Sequence, residues 1–400
     1  KLSLNRYVQD LSLLANNQGS AQQNYLATAA RSWTDSNANF YPDCDFTNPS
    51  SQNLTGTGGD ICGAFTGVNA NFGLSVPTSV DDRDVDGFGG WNHRGSNWEF
   101  STGVQQEIVP RRMAVDVGYF RRWYGNFTVT DNFAAAVADY SSFTVTVPTD
   151  SRLPLSGQTI TFLDLNPDKA SLPSDNHVRF SKNYGEQYER WHGVDVSTSV
   201  RFDPGVLVQG GVSTGKQVTD NCAVLAQVPE GATNGVSLTG ASLVIAGPLA
   251  VPFCHQEQPW LTQVKGLASY TIPGVDLQLS GTFQSIPGPQ VGGTLVVPNS
   301  QVQPSLGRAL SGGASNVTVN IVRPGSVYGD RLNQVDLRVG KIFRFSGARR
   351  ITASVDVFNV FNGNAVLQQN NTFSTTSSIY GTPQLVQQAR LLKFTLSMNF

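Results

Sequence analysis

The stretch Leu392-Lys393-Phe394-Thr395-Leu396-Ser397-Met398-Asn399-Phe400 alternates apolar and polar residues without a break and stops on an aromatic. Successive side chains of a strand point to opposite faces. Leu392, Phe394, Leu396, Met398 and Phe400 therefore share one face, and Lys393, Thr395, Ser397 and Asn399 the other. The ends of soluble chains usually fray. A membrane β-barrel instead closes its last strand on its first, because hydrocarbon cannot solvate an open edge. The stretch predicts an all-β chain, an antiparallel transmembrane β-barrel, with these five apolar residues as its C-terminal barrel-assembly signal.

Composition agrees with that expectation. Apolar residues make up 39% of the 400 and charged residues 14%, both low for a soluble globular protein, and forty glycines suit short strands joined by polar loops. A net charge of −2 excludes a nucleic-acid partner recruited by bulk electrostatics. No apolar run reaches the length of a membrane helix, and the most apolar stretch, 241–251, is broken by Gly247 and Pro248. Barrel strands are only half apolar, so this leaves a barrel open. The chain starts on Lys1 without Met or a leader, which reads as a mature form or a fragment. Cys44 with Cys62 and Cys222 with Cys254 are spaced as local disulfides in Gly- and Asn-rich loops of an oxidising compartment. Zinc is the competing reading, but only His255 beside Cys254 hints at its ligand spacing.

Strands are expected near 1–8, 98–109, 111–125, 188–203, 205–216, 259–272, 274–286, 331–345, 348–361 and 388–400. Short Pro- or Gly-bearing turns join successive pairs, as tight hairpins require. Between the hairpins run long polar connections at 10–97, 126–186, 217–257, 287–330 and 362–387. Short periplasmic turns opposite long extracellular loops are the asymmetry of an outer-membrane barrel. Asp116, Asp195, Arg201, Asp276, Asp336, Arg338 and Asp356 fall opposite the apolar face, where a wet lumen would receive them. Trp98, Phe100, Phe202, Tyr270, Phe343, Phe345, Phe394 and Phe400 suit interfacial girdles. A soluble sandwich or β-solenoid is the alternative.

The runs Arg331-Leu332-Asn333-Gln334-Val335-Asp336-Leu337-Arg338-Val339-Gly340-Lys341, Val355-Asp356-Val357-Phe358-Asn359-Val360-Phe361-Asn362 and Gln388 to Phe394, with the terminal Phe400, resemble the closing strands of TonB-dependent outer-membrane receptors. Trp98-Glu99-Phe100, Gly118 to Arg122, Gly193-Val194-Asp195 and Gly210 to Gly215 are similar to the Oar-like branch, which carries a carboxypeptidase-regulatory-like domain. The resemblance implies a barrel of about 22 strands, of which the ten here form the C-terminal part. It further implies an N-terminal plug, which this sequence lacks, and energised import of a scarce nutrient such as a siderophore, cobalamin, oligosaccharide or peptide. The implied partners are outer-membrane lipid, the missing plug and barrel portion, a TonB-type energy-coupling protein and the barrel-assembly machinery. The loops would be extracellular and the C-terminus periplasmic. A surface-exposed adhesion or structural protein anchored by the barrel is the second expectation.

Sites of chemistry are sparse. Asp82-Arg83-Asp84-Val85-Asp86-Gly87 matches the first half of a calcium loop, so Asp82, Asp84 and Asp86 are candidate ligands. The closing glutamate is missing and His93 stands in its place; a solvated acidic loop is the alternative. Four histidines, without HExxH, GxSxG or a Walker-type loop, give no enzymatic constellation, so no enzyme and no further cofactor are expected. Loop aromatics including Trp33, Phe40, Tyr41, Trp91, Tyr140, Phe143, Tyr184, Tyr188 and Tyr380 would either line a ligand mouth or pack on themselves.

Overall fold

The computed structural model describes residues 1–8, 26–66, 70–74, 79–83, 94–202, 205–233, 250–345 and 349–399. Ten strands form one antiparallel meander in chain order: β1 Leu2–Val8, β2 Ser96–Val109, β3 Met113–Gly125, β4 Tyr188–Phe202, β5 Val206–Asp220, β6 Leu261–Ile272, β7 Leu277–Ile286, β8 Leu332–Arg344, β9 Arg350–Phe358 and β10 Leu391–Asn399. A short strand, His255–Glu257, adds to the end of β5. Among the described residues β1 pairs only with β2 and β10 only with β9, so the sheet is an open arc of barrel wall.

The turns follow local chemistry. Between β2 and β3 the N–H of Arg112 returns to Val109 O at 2.9 Å. Between β6 and β7, Gly274 takes φ 78°, a conformation open to glycine at no steric cost, and Asp276 N–H returns to Ile272 O at 3.0 Å. Asp276 was expected on the polar face of a strand. It lies instead in this turn, where its carboxylate accepts both Nε and Nη2 of Arg344 at 2.9 and 3.0 Å. Strand β9 stops at Phe358 instead of running on to 361. Asn359 turns the chain out at φ 50°, and its side chain, 3% exposed, bonds Gly363 and Gln388 across the mouth of the next loop.

Register sorts the residues into two faces. Val104, Val117, Val196, Val212 and Val264 form one row across β2 to β6. Tyr270, Leu279, Val339, Val355 and Phe394 form another across β6 to β10. Residues of this face point outward and uncovered: Val104 is 67% and Phe394 76% exposed. The opposite face carries Asp116, Asp195, Asp336 and an Arg338–Asp356 ion pair, with Ser213 donating to Asp195 and Gln334 to Asp336. On that face Trp191 covers the paired glycines Gly193 and Gly215. A Cβ on either would meet the indole at 2.6 or 2.5 Å, so only glycine lets the ring lie flat.

The buried apolar core lies outside this sheet. Phe143, Phe162, Phe253, Val302, Val319 and Ile321 are essentially sealed from solvent and belong to one cluster drawn from the long connections. The hairpin Tyr140–Thr146 with Thr159–Leu165 supplies one wall, and Thr294–Pro298 with Asn316–Asn320 another. The helix Asn299–Leu306 packs on the first hairpin. Burying each such side chain contributes about 1.5–3 kcal/mol. The polar loops expected from the sequence are thus a cored body, because Phe143, Val145 and Val147 alternate inward as strictly as any residue of the sheet.

Candidate functional site

All five long connections leave the same end of the meander, and side chains tie them to one another. Val80–Asp81 of the first connection pairs in parallel with Asn176–Phe180 of the second. The second connection meets the third where Glu230 accepts Asn132 N–H at 2.6 Å and the Tyr140 hydroxyl at 3.4 Å. It meets the fourth where Arg308 bonds Asp164 at 2.5 Å, and the fifth where Arg152 donates to Tyr380 O at 2.7 Å. Arg152 also holds the Asp150 carboxyl down at about 2. Burial raises the Glu230 carboxyl above its usual range, so this internal bridge carries a weakened acid.

Among the described residues His177 is the most engaged histidine. Its Nδ1 meets Asp82 Oδ2 at 2.8 Å and its Nε2 meets Asp175 Oδ1 at 3.1 Å, while the ring stacks on Phe133 at 4.0 Å. Partial burial pulls its pKa down, but the two carboxylates outweigh burial and raise it above the ordinary histidine value. Both ring nitrogens are occupied, which suits a clamp between connections more than a proton shuttle. Asp82, a candidate calcium ligand, faces His177 and Arg179. Asp84 and Asp86 lie outside the described residues, as does Phe400.

The cysteines bridge as Cys44–Cys62 and Cys222–Cys254. Beside the first bridge Asp60 is fully buried, accepting the N–H groups of Asp43 and Ser36 at 2.9 and 2.8 Å and the Trp33 indole at 2.7 Å. The Asp43 and Trp33 bonds foremost hold its carboxyl below the usual range. The loop aromatics divide. Phe143 and Tyr380 are core, whereas Phe40 and Tyr41 stand 89% and 66% exposed on the first connection; Trp91 lies outside the described residues.

Below the connections, the polar face of the sheet is hollowed by a recess of about 470 Å³ lined by Gln105, Asp116, Ser197, Ser199, Gln209 and Lys265. Sequence alternation places each of these on the polar face, but only register across five strands shows that they meet. The arrangement offers amide, hydroxyl and one charge of each sign, which is equipment for binding a polar solute.

No protein-family model matches this chain, and no curated protein matches it. Among solved structures it is similar to the outer membrane transporter YddB from Escherichia coli, with 14% identity and a TM-score of 0.39. The match covers 81% of this chain and 34% of the transporter, so the chain spans about a third of that protein's length.

Proposed function

We propose that the chain is part of the wall of an outer-membrane β-barrel that imports a scarce nutrient, with the loops extracellular and the turns periplasmic. The observation that carries this reading is the two-faced meander. One apolar face stays uncovered across ten strands, far beyond the patch a soluble monomer leaves in water. Along β4 the apolar stretch from His192 to Phe202 measures about 25 Å at a barrel's tilt of about 40°, the height of a hydrocarbon band. Aromatic and basic residues bound it: Arg121 lies 5.8 Å over Trp123 and His192 stacks on Trp260 at 5.0 Å, with Phe202, Tyr270 and Phe343 at the turn end. Two edges left open among the described residues call for further strands, and a wider barrel encloses a polar lumen. Import without covalent chemistry, driven through a TonB-type partner in the Oar-like manner, is the form of transport the sequence resemblance suggests. The cored loop body favours a second reading, a rigid display surface on a barrel anchor.

Fractionation of cells tests the wall, and uptake tests the importer. The protein is expected in detergent extracts of outer membranes, with its loops cut by trypsin from outside. Cells bearing it should accumulate one of a labelled ferric siderophore, cobalamin, oligosaccharide or peptide, and a protonophore should stop accumulation while leaving surface binding. Recovery in the soluble fraction defeats the wall; surface binding without energised uptake leaves the display reading.

A further inference from the structure

Charge is unevenly spread over the outward face of β1 to β5. Register places Arg6, Trp98, Trp123 and Arg190 in one row across β1 to β4, and Arg121, His192 and Lys216 in the next across β3 to β5. Both rows lie at the loop end of the apolar band. Among the described residues of these five strands Asp220 is the sole outward acid, and His255 Nδ1 meets it at 2.8 Å. Glu257, on the short strand beside β5, accepts from Lys216 Nζ.

That leaves Arg121 and Arg190. Both are exposed, and neither has a hydrogen-bonding or acidic partner among the described residues. Each guanidinium lies instead over a ring, Arg121 5.8 Å from Trp123 and Arg190 4.6 Å from Tyr188. Inward arginines of the same sheet behave otherwise: Arg122, next along β3, pairs with Glu99, and Arg338 pairs with Asp356.

Arg121 stands opposite His192, so Arg190 is its diagonal neighbour across β3 and β4. Diagonal side chains on an antiparallel pair start about 7–8 Å apart, within reach of long residues. Two guanidiniums can therefore close on one anion from both sides. Side by side without an acid they repel, and a highly charged anion removes that cost. Phosphate matches the guanidinium fork through paired N–H···O bonds. A phosphomonoester carries about 1.5 to 2 negative charges near neutral pH, more than a phosphodiester. Position selects the source: the pair sits where the apolar band meets the loops, so a lipid whose tails cover Val117 and Val196 brings its head group to this height. Taking the sheet as a membrane wall with extracellular loops, we propose that Arg121 and Arg190 bind the phosphomonoester head group of an outer-leaflet lipid. Trp123 and Tyr188 hold the two guanidiniums in place.

The test uses the full chain in dodecyl maltoside micelles, titrated with dioleoyl phosphatidic acid. Tryptophan fluorescence follows binding, and native mass spectrometry counts the lipid retained. Saturable binding of phosphatidic acid is expected, with phosphatidylglycerol weaker, phosphatidylcholine not retained and inorganic phosphate a poor competitor. Arg121→Gln and Arg190→Gln should each weaken binding roughly tenfold, the worth of one charge-assisted contact. Arg121→Lys and Arg190→Lys keep the charge and should keep most of the affinity, which guards against variants that merely misfold. Arg201→Gln, the same loss of charge on the polar face, should bind as the parent does. Phosphatidic acid held no better than phosphatidylglycerol, free phosphate bound as tightly as the lipid, equal loss in Arg201→Gln, or parent affinity in both glutamine variants would overturn the assignment. Insertion into phosphatidylcholine vesicles reads the wall separately. A chain that inserts without head-group preference loses this site and keeps the wall; one that does not insert loses both.

Discussion

At the scale of single residues, His177 makes the sharpest commitment, because it fastens the second connection to the first through Asp82, while Asp175 holds the same ring from within the second connection and Arg179 also faces Asp82. Its pKa is higher folded than unfolded, so the clamp's stabilisation is complete below the unfolded value of about 6.5 and is lost as pH rises through the raised value. The Asp82 N–H, bonded to Val178 O at 3.0 Å, reports on the junction. Hydrogen exchange at Asp82, corrected for intrinsic rate, should be slow in mild acid and quicken above neutrality. His177→Gln should flatten that dependence and leave Asp82 in the fast regime throughout. A pH profile shared by parent and variant would show that some other group governs the junction.

Single strands obey their alternation, and alternation makes opposite demands on adjacent residues. Val196 lies between Val117 and Val212 on the uncovered face, while its neighbour Ser197 lines the polar recess. Val196→Arg should cost about 2–4 kcal/mol in a bilayer, the penalty for a cation near the midplane, and Ser197→Arg much less. Urea unfolding from phosphatidylcholine vesicles reads the difference; equal costs would mean that neither face meets lipid. This two-faced character was legible in the sequence, since period-two alternation and short turns fix which residue faces which way. Other features were not. The recess needs registers across β2 to β6, and strand pairing over such separations leaves no local mark.

The whole molecule has two sources of stability that scarcely overlap. The sheet contributes hydrogen bonds and a face that needs hydrocarbon to cover it, and among the described residues its two edges are open. The connections contribute the apolar core, with Phe143 and Phe162 stacked at 5.5 Å inside it. A body with its own core and mainly polar ties elsewhere can open as a unit while the sheet holds. Heating in detergent should therefore give two transitions, with the near-ultraviolet signal of the loop aromatics lost before the far-ultraviolet signal of the strands. Phe162→Ala removes a fully buried ring and should destabilise the loop body by about 3–5 kcal/mol, lowering the first transition and leaving the second in place. A single transition that shifts as a whole would mean that loops and sheet fold as one cooperative unit. Two transitions would mean that the loop body can be reshaped without rebuilding the wall that carries it.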